Sequence, residues 1–249
     1  MRVEQPWHEQ DVFWEAFEAV LFSQRRRADA PEQVERIVAL LGIQPGAAIL
    51  DLCCGIGRHS LELARSGFHV TGVDRTRAYL KRAAELAKNA GLMVELVQED
   101  MRTFCRPDAF DVAISFFTSF GYVDDPEEDC QVAKNVHRSL KAGGVFLLEM
   151  MGKEVLARSF QERVWHEEDG VLLLQECKVS RGWNWVEHRW IVVKDSDRRE
   201  LKFSHRLYSA AELRALLAGC GFSRTEVCGD IEGGPYDHTA KRLVVVAHK

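Results

Sequence analysis

The stretch Ile49-Leu50-Asp51-Leu52-Cys53-Cys54-Gly55-Ile56-Gly57-Arg58 constrains this chain more than any other. Its apolar start reads as a buried strand, Gly55-x-Gly57 as a tight turn, and Arg58 onward as the start of a helix. Glycine lets a backbone turn sharply and lets a ligand approach it closely. The helix start adds free N–H groups and a positive dipole end, a setting for a nucleotide phosphate or an amino-acid carboxylate. Alone, the element fits a plain strand-to-helix turn equally well, so its surroundings decide.

Those surroundings alternate. Strands are expected at Ala47–Leu52, Phe68–Val73, Met93–Gln98, Phe110–Ser115 and Val145–Met150, with helices at Arg58–Ser66, Thr76–Ala90 and Pro126–Leu140. Such alternation predicts βαβ units, and so an α/β fold with a parallel sheet and helices on both faces. Residues 1–44 read as an N-terminal helical segment, with Phe13, Phe17, Val20 and Leu21, then Val34, Ile37, Val38 and Leu41, at helical spacing. Residues 152–206 read as an inserted antiparallel β-meander, with strands at Val171–Val179, Trp183–Val193 and Arg199–Arg206. The meander also holds Trp190; period two puts Trp183 and Trp185 on one face, packed on the domain or, alternatively, covering the substrate or forming a dimer contact. The α/β pattern then resumes: Ser209 and Glu212 form a capping box for a helix running to about Ala218. Two last strands, Arg224–Cys228 and Arg242–Ala247, are joined by a loop without a helix. The whole, 1–249, fits one domain carrying an insertion.

With a net charge of -5, the chain lacks the basic stripe of a nucleic-acid binder, which favours a small-molecule partner. The one basic run, Arg25-Arg26-Arg27, reads as a solvated helix end or as an anion contact at the mouth of a site. Seven cysteines form no CxxC pair and no Cys/His ligand spacing, so no metal site is expected and a reduced compartment is. The start, MRVEQPWHEQD, has no apolar run of a signal peptide, and no segment approaches a membrane span. The expected location is cytoplasmic.

Three further elements sharpen the glycine loop. Asp74 stands at the end of the second strand, 19 residues after Gly55, where a carboxylate accepts from ribose hydroxyls. Glu99-Asp100-Met101 follows the third strand, where a carboxylate can accept from an adenine amino group. Leu140-Lys141-Ala142-Gly143-Gly144 precedes the fifth strand as a helix C-cap and turn. Together, DLCCGIGRHS, VTGVD, QEDMR and LKAGG, in that order, resemble the motifs of the class I S-adenosylmethionine-dependent methyltransferases, and RLVVVA fits the closing strand. The resemblance spans about residues 35 to 150 and implies a Rossmann-like, seven-stranded sheet whose last strand runs antiparallel. It implies S-adenosyl-L-methionine as cofactor. The backbone of Cys53, Gly55 and Gly57 would line its methionine part, and Asp74 would hold the ribose. Asp100 would meet the adenine amino group, with Met101 beside the ring and Phe116 near the methionine amino group. Two positions depart from the family pattern. Cys53 replaces a loop glycine and takes positive φ less freely. Arg75 follows the ribose aspartate, either stacking on adenine or pointing to solvent.

The acceptor is less legible. The run after the fourth strand, Ser115-Phe116-Phe117-Thr118-Ser119-Phe120-Gly121-Tyr122, lacks the Asn/Asp-Pro-Pro-Tyr/Phe motif of enzymes that methylate base or glutamine nitrogens. Tyr122, Arg206 and Tyr208 are the candidate substrate contacts, with Arg206 and Tyr208 alternatively a structural pair holding the insertion. Glu149 and the loop Pro235-Tyr236-Asp237-His238 are further candidates, and no catalytic base stands out. The competing readings are a cofactor-binding protein without turnover, a methyltransferase of RNA or protein, and a nicotinamide-dependent dehydrogenase. The last would want a third glycine where Ser60 stands.

Overall fold

The computed structural model describes residues 5–249; residues 1–4, counted in the expected N-terminal segment, lie outside the described residues. After a 3-10 turn at Trp7–Glu9 come helices α1 (Asp11–Leu21), α2 (Gln24–Ala28) and α3 (Ala30–Leu41). The alternating part follows: β1 (Ala48–Leu52), α4 (Arg58–Arg65), β2 (His69–Asp74), α5 (Arg77–Ala90), β3 (Glu95–Gln98), β4 (Phe110–Ser115), α6 (Pro126–Ser139) and β5 (Leu140–Met150). Next are α7 (Lys153–Ser159) and the strands β6 (Arg163–Glu168), β7 (Val171–Ser180), β8 (Trp185–Lys194) and β9 (Asp197–Arg206). The described chain closes with α8 (Ala210–Gly219), β10 (Arg224–Cys228) and β11 (Leu243–His248). Ser209 and Glu212 form the expected capping box on α8.

The main sheet has the order β10-β11-β5-β4-β1-β2-β3. Strands β1 to β5 pair in parallel, and β11 runs antiparallel to both β5 and β10. This is the expected seven-stranded, Rossmann-like α/β sheet. Alternation divides its side chains between two cores. Leu50, Phe146 and Leu148 face one core, with Leu213 and Leu217 of α8. Ile49 and Leu147 face the other, with Val34 and Ile37 of α3. From central β1 the chain moves to β2 and β3 on one side and to β4 and β5 on the other. Ligands of open α/β sheets sit beyond the strand ends at such a reversal.

The second sheet, β6-β7-β8-β9, is an antiparallel meander. Phe13 and Phe17 of α1 pack on it through Val171, Leu173, Val192 and Leu201. Helix α1 thus lies between the meander and α5, whose Tyr79 hydroxyl donates to Trp14 O.

Four local features depart from the sequence reading. Strand β6 leaves most of its side chains exposed, so no apolar alternation marks it. Helix α7 is seven residues long and buries only Val155, too little for a periodic signal. Trp183 lies outside the strands, in a 3-10 turn at φ +68°, edge-on to Phe160, while Trp185 is buried in β8; the pair does not share a strand face. Strand β5 starts at Leu140, absorbing the expected turn through a register shift near Phe110, with Gly143 at φ +75°. No helix of the described residues is long and apolar enough to cross a membrane.

Candidate active site

A cavity of 460 Å³ opens where β1, β2, β3 and β4 end. This lies within the range of ligand sites, about 300–1,000 Å³. Its floor is the glycine loop. Cys54 N–H donates to Val73 O at 3.0 Å, and Gly57 N–H donates back to Cys54 O at 3.0 Å, so the chain turns tightly into α4. Cys53, Gly55 and Gly57 take φ of +63°, +58° and +76°. For Cys53 the left-handed conformation costs roughly 1–2 kcal/mol, which the surrounding bonds must hold. A Cβ at Gly55 would lie 2.6 Å from the Phe22 ring, so glycine there answers both backbone and space.

Asp74 organises this floor. Its Oδ2 accepts from Gly55 N–H at 2.9 Å and its Oδ1 from Thr76 N–H at 2.8 Å. Burial raises its carboxyl and those backbone bonds oppose the rise. Asp51, at the end of β1, also lines the cavity. It is buried and accepts from Ser60 Oγ at 2.5 Å, and burial pushes its carboxyl up to about 6.

Of the residues named from sequence, Cys53, Gly55, Asp74, Arg75, Asp100 and Met101 converge on this cavity, and so do Phe116 and Tyr122. Gly57 lies behind the lining as the N-cap of α4, against Ala83. Asp100 is held by Arg102, which donates to its two oxygens at 2.9 and 2.8 Å and reaches Glu9 and Glu128 as well. Burial alone would raise the Asp100 carboxyl; the Arg102 bonds outweigh it and hold it below the usual range.

Arg75 lines the cavity and is anchored by the N-terminal segment rather than pointing freely into solvent. Its guanidinium donates to His8 O and Glu9 O and pairs with Asp11 at 3.2 Å, tying the N-terminal segment to the floor. Arg206 and Tyr208 stand outside the cavity lining. Tyr208 donates to Asp129 Oδ2 at 2.6 Å, and Arg206 sits 3.5 Å from the same carboxylate and donates to Asp124 O. They join the end of β9 to α6, which is the structural pairing that the sequence left open. Glu149 is reached by the cavity only through its partners: it accepts from Phe117 N–H at 2.7 Å and pairs with Arg242. Those contacts hold Phe117 and Thr118, both left-handed at φ +61° and +60°, in the loop after β4. Backbone strain of this kind concentrates at functional sites.

Sequence reasoning read the roof only in part, through Tyr122 and the alternative that the meander covers the substrate. One half is aromatic: Trp7, Phe13, Trp14 and Phe17 from the N-terminal segment, with Tyr122 4.9 Å from Trp7. The repeat of aromatics on one helix face was its signal. The other half is the inner face of the meander, where alternation presents Cys177, His188, Trp190, Phe203 and His205 to the cavity. Three of these form a string. Cys177 Sγ lies 3.1 Å from His188 Nδ1, His188 Nε2 3.4 Å from His205 Nε2, and His205 Nδ1 3.0 Å from Arg206 O. A carbonyl only accepts, so His205 carries its proton on Nδ1 and accepts at Nε2. His188 then donates from Nε2 and accepts the thiol proton at Nδ1. Burial lowers His188 to about 3 and His205 to about 4, so both rings are neutral at pH 7. Every ring nitrogen is committed, which makes the string an oriented wall. Arg26, Arg58, His59 and Arg242 also line the cavity. Of these, only Arg26 had a sequence signal, the basic run.

With the geometry in hand, the comparisons agree with it. Residues 49–144 match the family described as a methyltransferase domain. A protein of Geobacillus sp. (strain WCH70) named as a methyltransferase is 26% identical over 222 residues, covering 87% of this chain and 90% of its own length. Among solved structures, an S-adenosylmethionine-dependent methyltransferase from Clostridium acetobutylicum ATCC 824 superposes with a TM-score of 0.77 at 17% identity, covering 96% of this chain and 98% of its own. The amino pentose methyltransferase CalS10 from Micromonospora echinaspora, solved with S-adenosylmethionine bound, has a TM-score of 0.66 at 23% identity, covering 96% and 97%. The chain carries a methyltransferase domain, and motif order, fold and relatives together support an S-adenosylmethionine-dependent methyltransferase, an enzyme with S-adenosylmethionine as cofactor. The readings as a dehydrogenase and as a protein without turnover are set aside.

Proposed function

We propose that this enzyme methylates a small molecule held between the sheet edge and the meander roof. The observation that carries this reading is the roof itself. The strand ends are covered by α1 and the meander, leaving a cavity of 460 Å³ rather than an open groove. CalS10, similar over its whole length, is named for a small amino pentose acceptor.

The residues fit the cofactor. The glycine loop offers a bare backbone against which Phe22 already sits at contact distance. Asp74 has lone-pair capacity beyond its two backbone bonds and would hold the ribose hydroxyls. Asp100, with Met101 beside it, would border the adenine, and Phe116 the methionine end. When bound, the cofactor supplies an electrophilic methyl on a sulfonium. The protein's task is orientation: to hold an acceptor atom in line at near-attack distance and to keep water out. The strained Phe117–Thr118 turn, fixed by Glu149 and Arg242, sets one wall of that space. The neutral Cys177–His188–His205 string sets another.

Incubation with methyl-labelled S-adenosylmethionine and a panel of amines, phenols, thiols and carboxylates tests this. Acceptor-dependent formation of S-adenosylhomocysteine is expected. Label entering RNA or protein, and none entering the panel, would contradict it.

A further inference from the structure

The two edges of the meander are built differently. Strand β9 carries Arg198, Glu200 and Lys202 on the outer face, away from the cavity. A charged row of this kind guards an edge against further pairing. Strand β6 has a tryptophan at its centre instead. Trp165 is 67% exposed, opposite Leu174 and in line with Ile191 on the same outer face.

The hairpin sets where the backbone of β6 points. Asp169 and Gly170 join β6 to β7 at φ of +51° and +71°. Such a two-residue turn closes on a hydrogen-bonded pair, here Glu168 with Val171. At the other end, Cys177 N–H donates to Glu162 O at 2.9 Å in the same register. Hydrogen-bonded pairs alternate along an antiparallel ladder. The even-numbered residues of β6 therefore bond to β7. Arg163, Trp165 and Glu167 turn their N–H and C=O groups outward from the sheet.

This edge complements itself. Laid antiparallel on a second β6, with a two-fold axis at Trp165, each outward residue meets another outward residue. Trp165 pairs with Trp165, and Arg163 with Glu167 on both sides of the axis. Cross-strand pairs of opposite charge and of aromatic rings are the favourable ones. Glu167 is exposed. Arg163 is free to reach across: its side chain is 82% exposed at 3.4 Å from Glu176, which Arg189 also holds at 2.9 Å. The exposed row Trp165, Leu174 and Ile191 would run on into its own copy. A slip of two residues sets Trp165 against Glu167 or Arg163 and loses the ion pairs, so charge fixes the register.

We propose that β6 pairs with β6 of a second copy of this chain, antiparallel about a two-fold axis at Trp165, joining two four-stranded meanders into one continuous sheet. The interface is isologous and closed, as in most symmetric dimers. It uses the outer edge and leaves the inner face of the meander to the cavity.

The test is sedimentation equilibrium of the full chain over roughly a hundredfold range of concentration. A concentration-dependent dimer is expected, and Trp165→Lys should abolish it. Arg163→Glu and Glu167→Arg each set like charges opposite one another, and each should weaken association by about tenfold. Carrying both substitutions, or mixing the two single variants, restores opposite charges and should bring association back to within about threefold of the parent. Within one chain the two side chains are about 13 Å apart along an extended strand, so rescue reports the second copy. All three positions are exposed, and an unchanged Tm shows that the variants fold. A monomer across the whole range overturns the proposal. So does a dimer indifferent to Trp165→Lys, or a charge reversal that neither the double variant nor the mixture rescues.

Discussion

Below the cavity, the groups come from loops that directly follow β1, β2 and β3, and they are mostly backbone and carboxylate. Above it, they come from α1, from α2 and from three strands some 150 residues further on, and they are aromatic rings, imidazoles and guanidiniums. Of the cations lining the cavity, Arg75 and Arg102 are paired with carboxylates, whereas Arg26 and Arg58 have none within 4.0 Å among the described residues. A floor of backbone and fixed carboxylates suits one cofactor shared by many enzymes. A roof of side chains on a separate sheet can change its acceptor without disturbing the floor.

The sharpest way to break this division is to loosen the roof. Phe17 is 3% exposed and packs on Trp190 and Phe203. Phe17→Ala is expected to cost about 3–5 kcal/mol, read as a fall in Tm, while S-adenosylhomocysteine affinity changes little. An equal collapse of cofactor binding would show that roof and floor are one unit.

Asp129 is the joint between them, buried and bonded to Tyr208. Burial raises its carboxyl to about 6 from 3.8, and the Tyr208 bond opposes this. A raised folded-state pKa means that the folded protein holds the proton more tightly. The stability from this group is therefore full below about pH 4 and lost as pH rises to about 6. Asp129→Asn should flatten that fall, by on the order of 2 kcal/mol between pH 4 and 7. Denaturant melts across that range check it.

Gly55→Ala probes the floor. The left-handed φ costs roughly 1–2 kcal/mol with a Cβ, and the Phe22 ring must move as well. A loss of cofactor affinity of about tenfold is expected by calorimetry.

The smallest effect should lie away from both. Glu95 pairs with Arg106 at 2.8 Å on half-exposed β3, which draws its carboxyl down to about 2. That stability is present above about pH 4.5 and lost as pH falls toward 2. At pH 7, Glu95→Gln should cost under about 1 kcal/mol.

Legibility followed the same division. The floor could be read because its groups are contiguous: a strand, a glycine loop and a helix start need only local spacing. The parallel sheet was legible from alternating elements, and its antiparallel last strand from the resemblance and the helix-free final connection; the strand order was not read. Most of the roof was hidden because its lining depends on which face of the meander turns inward and on α1 packing across the chain. Strand β6 has no alternation to betray it. The anchoring of Arg75 was not legible because its partners, His8, Glu9 and Asp11, are distant in sequence. Arg206 and Tyr208 proved to be the joint because Asp129, their partner, sits on α6. Arg58 drew no attention because nothing local marks a cation as lacking a counter-ion.

The central claim is that the glycine loop and Asp74 form the cofactor floor. Calorimetric titration with S-adenosylhomocysteine, with NADH as control, tests it most directly. Binding of S-adenosylhomocysteine alone, weakened at least a hundredfold in Asp74→Ala, is the predicted result. NADH binding in its place, or an affinity for S-adenosylhomocysteine indifferent to Asp74, would contradict it.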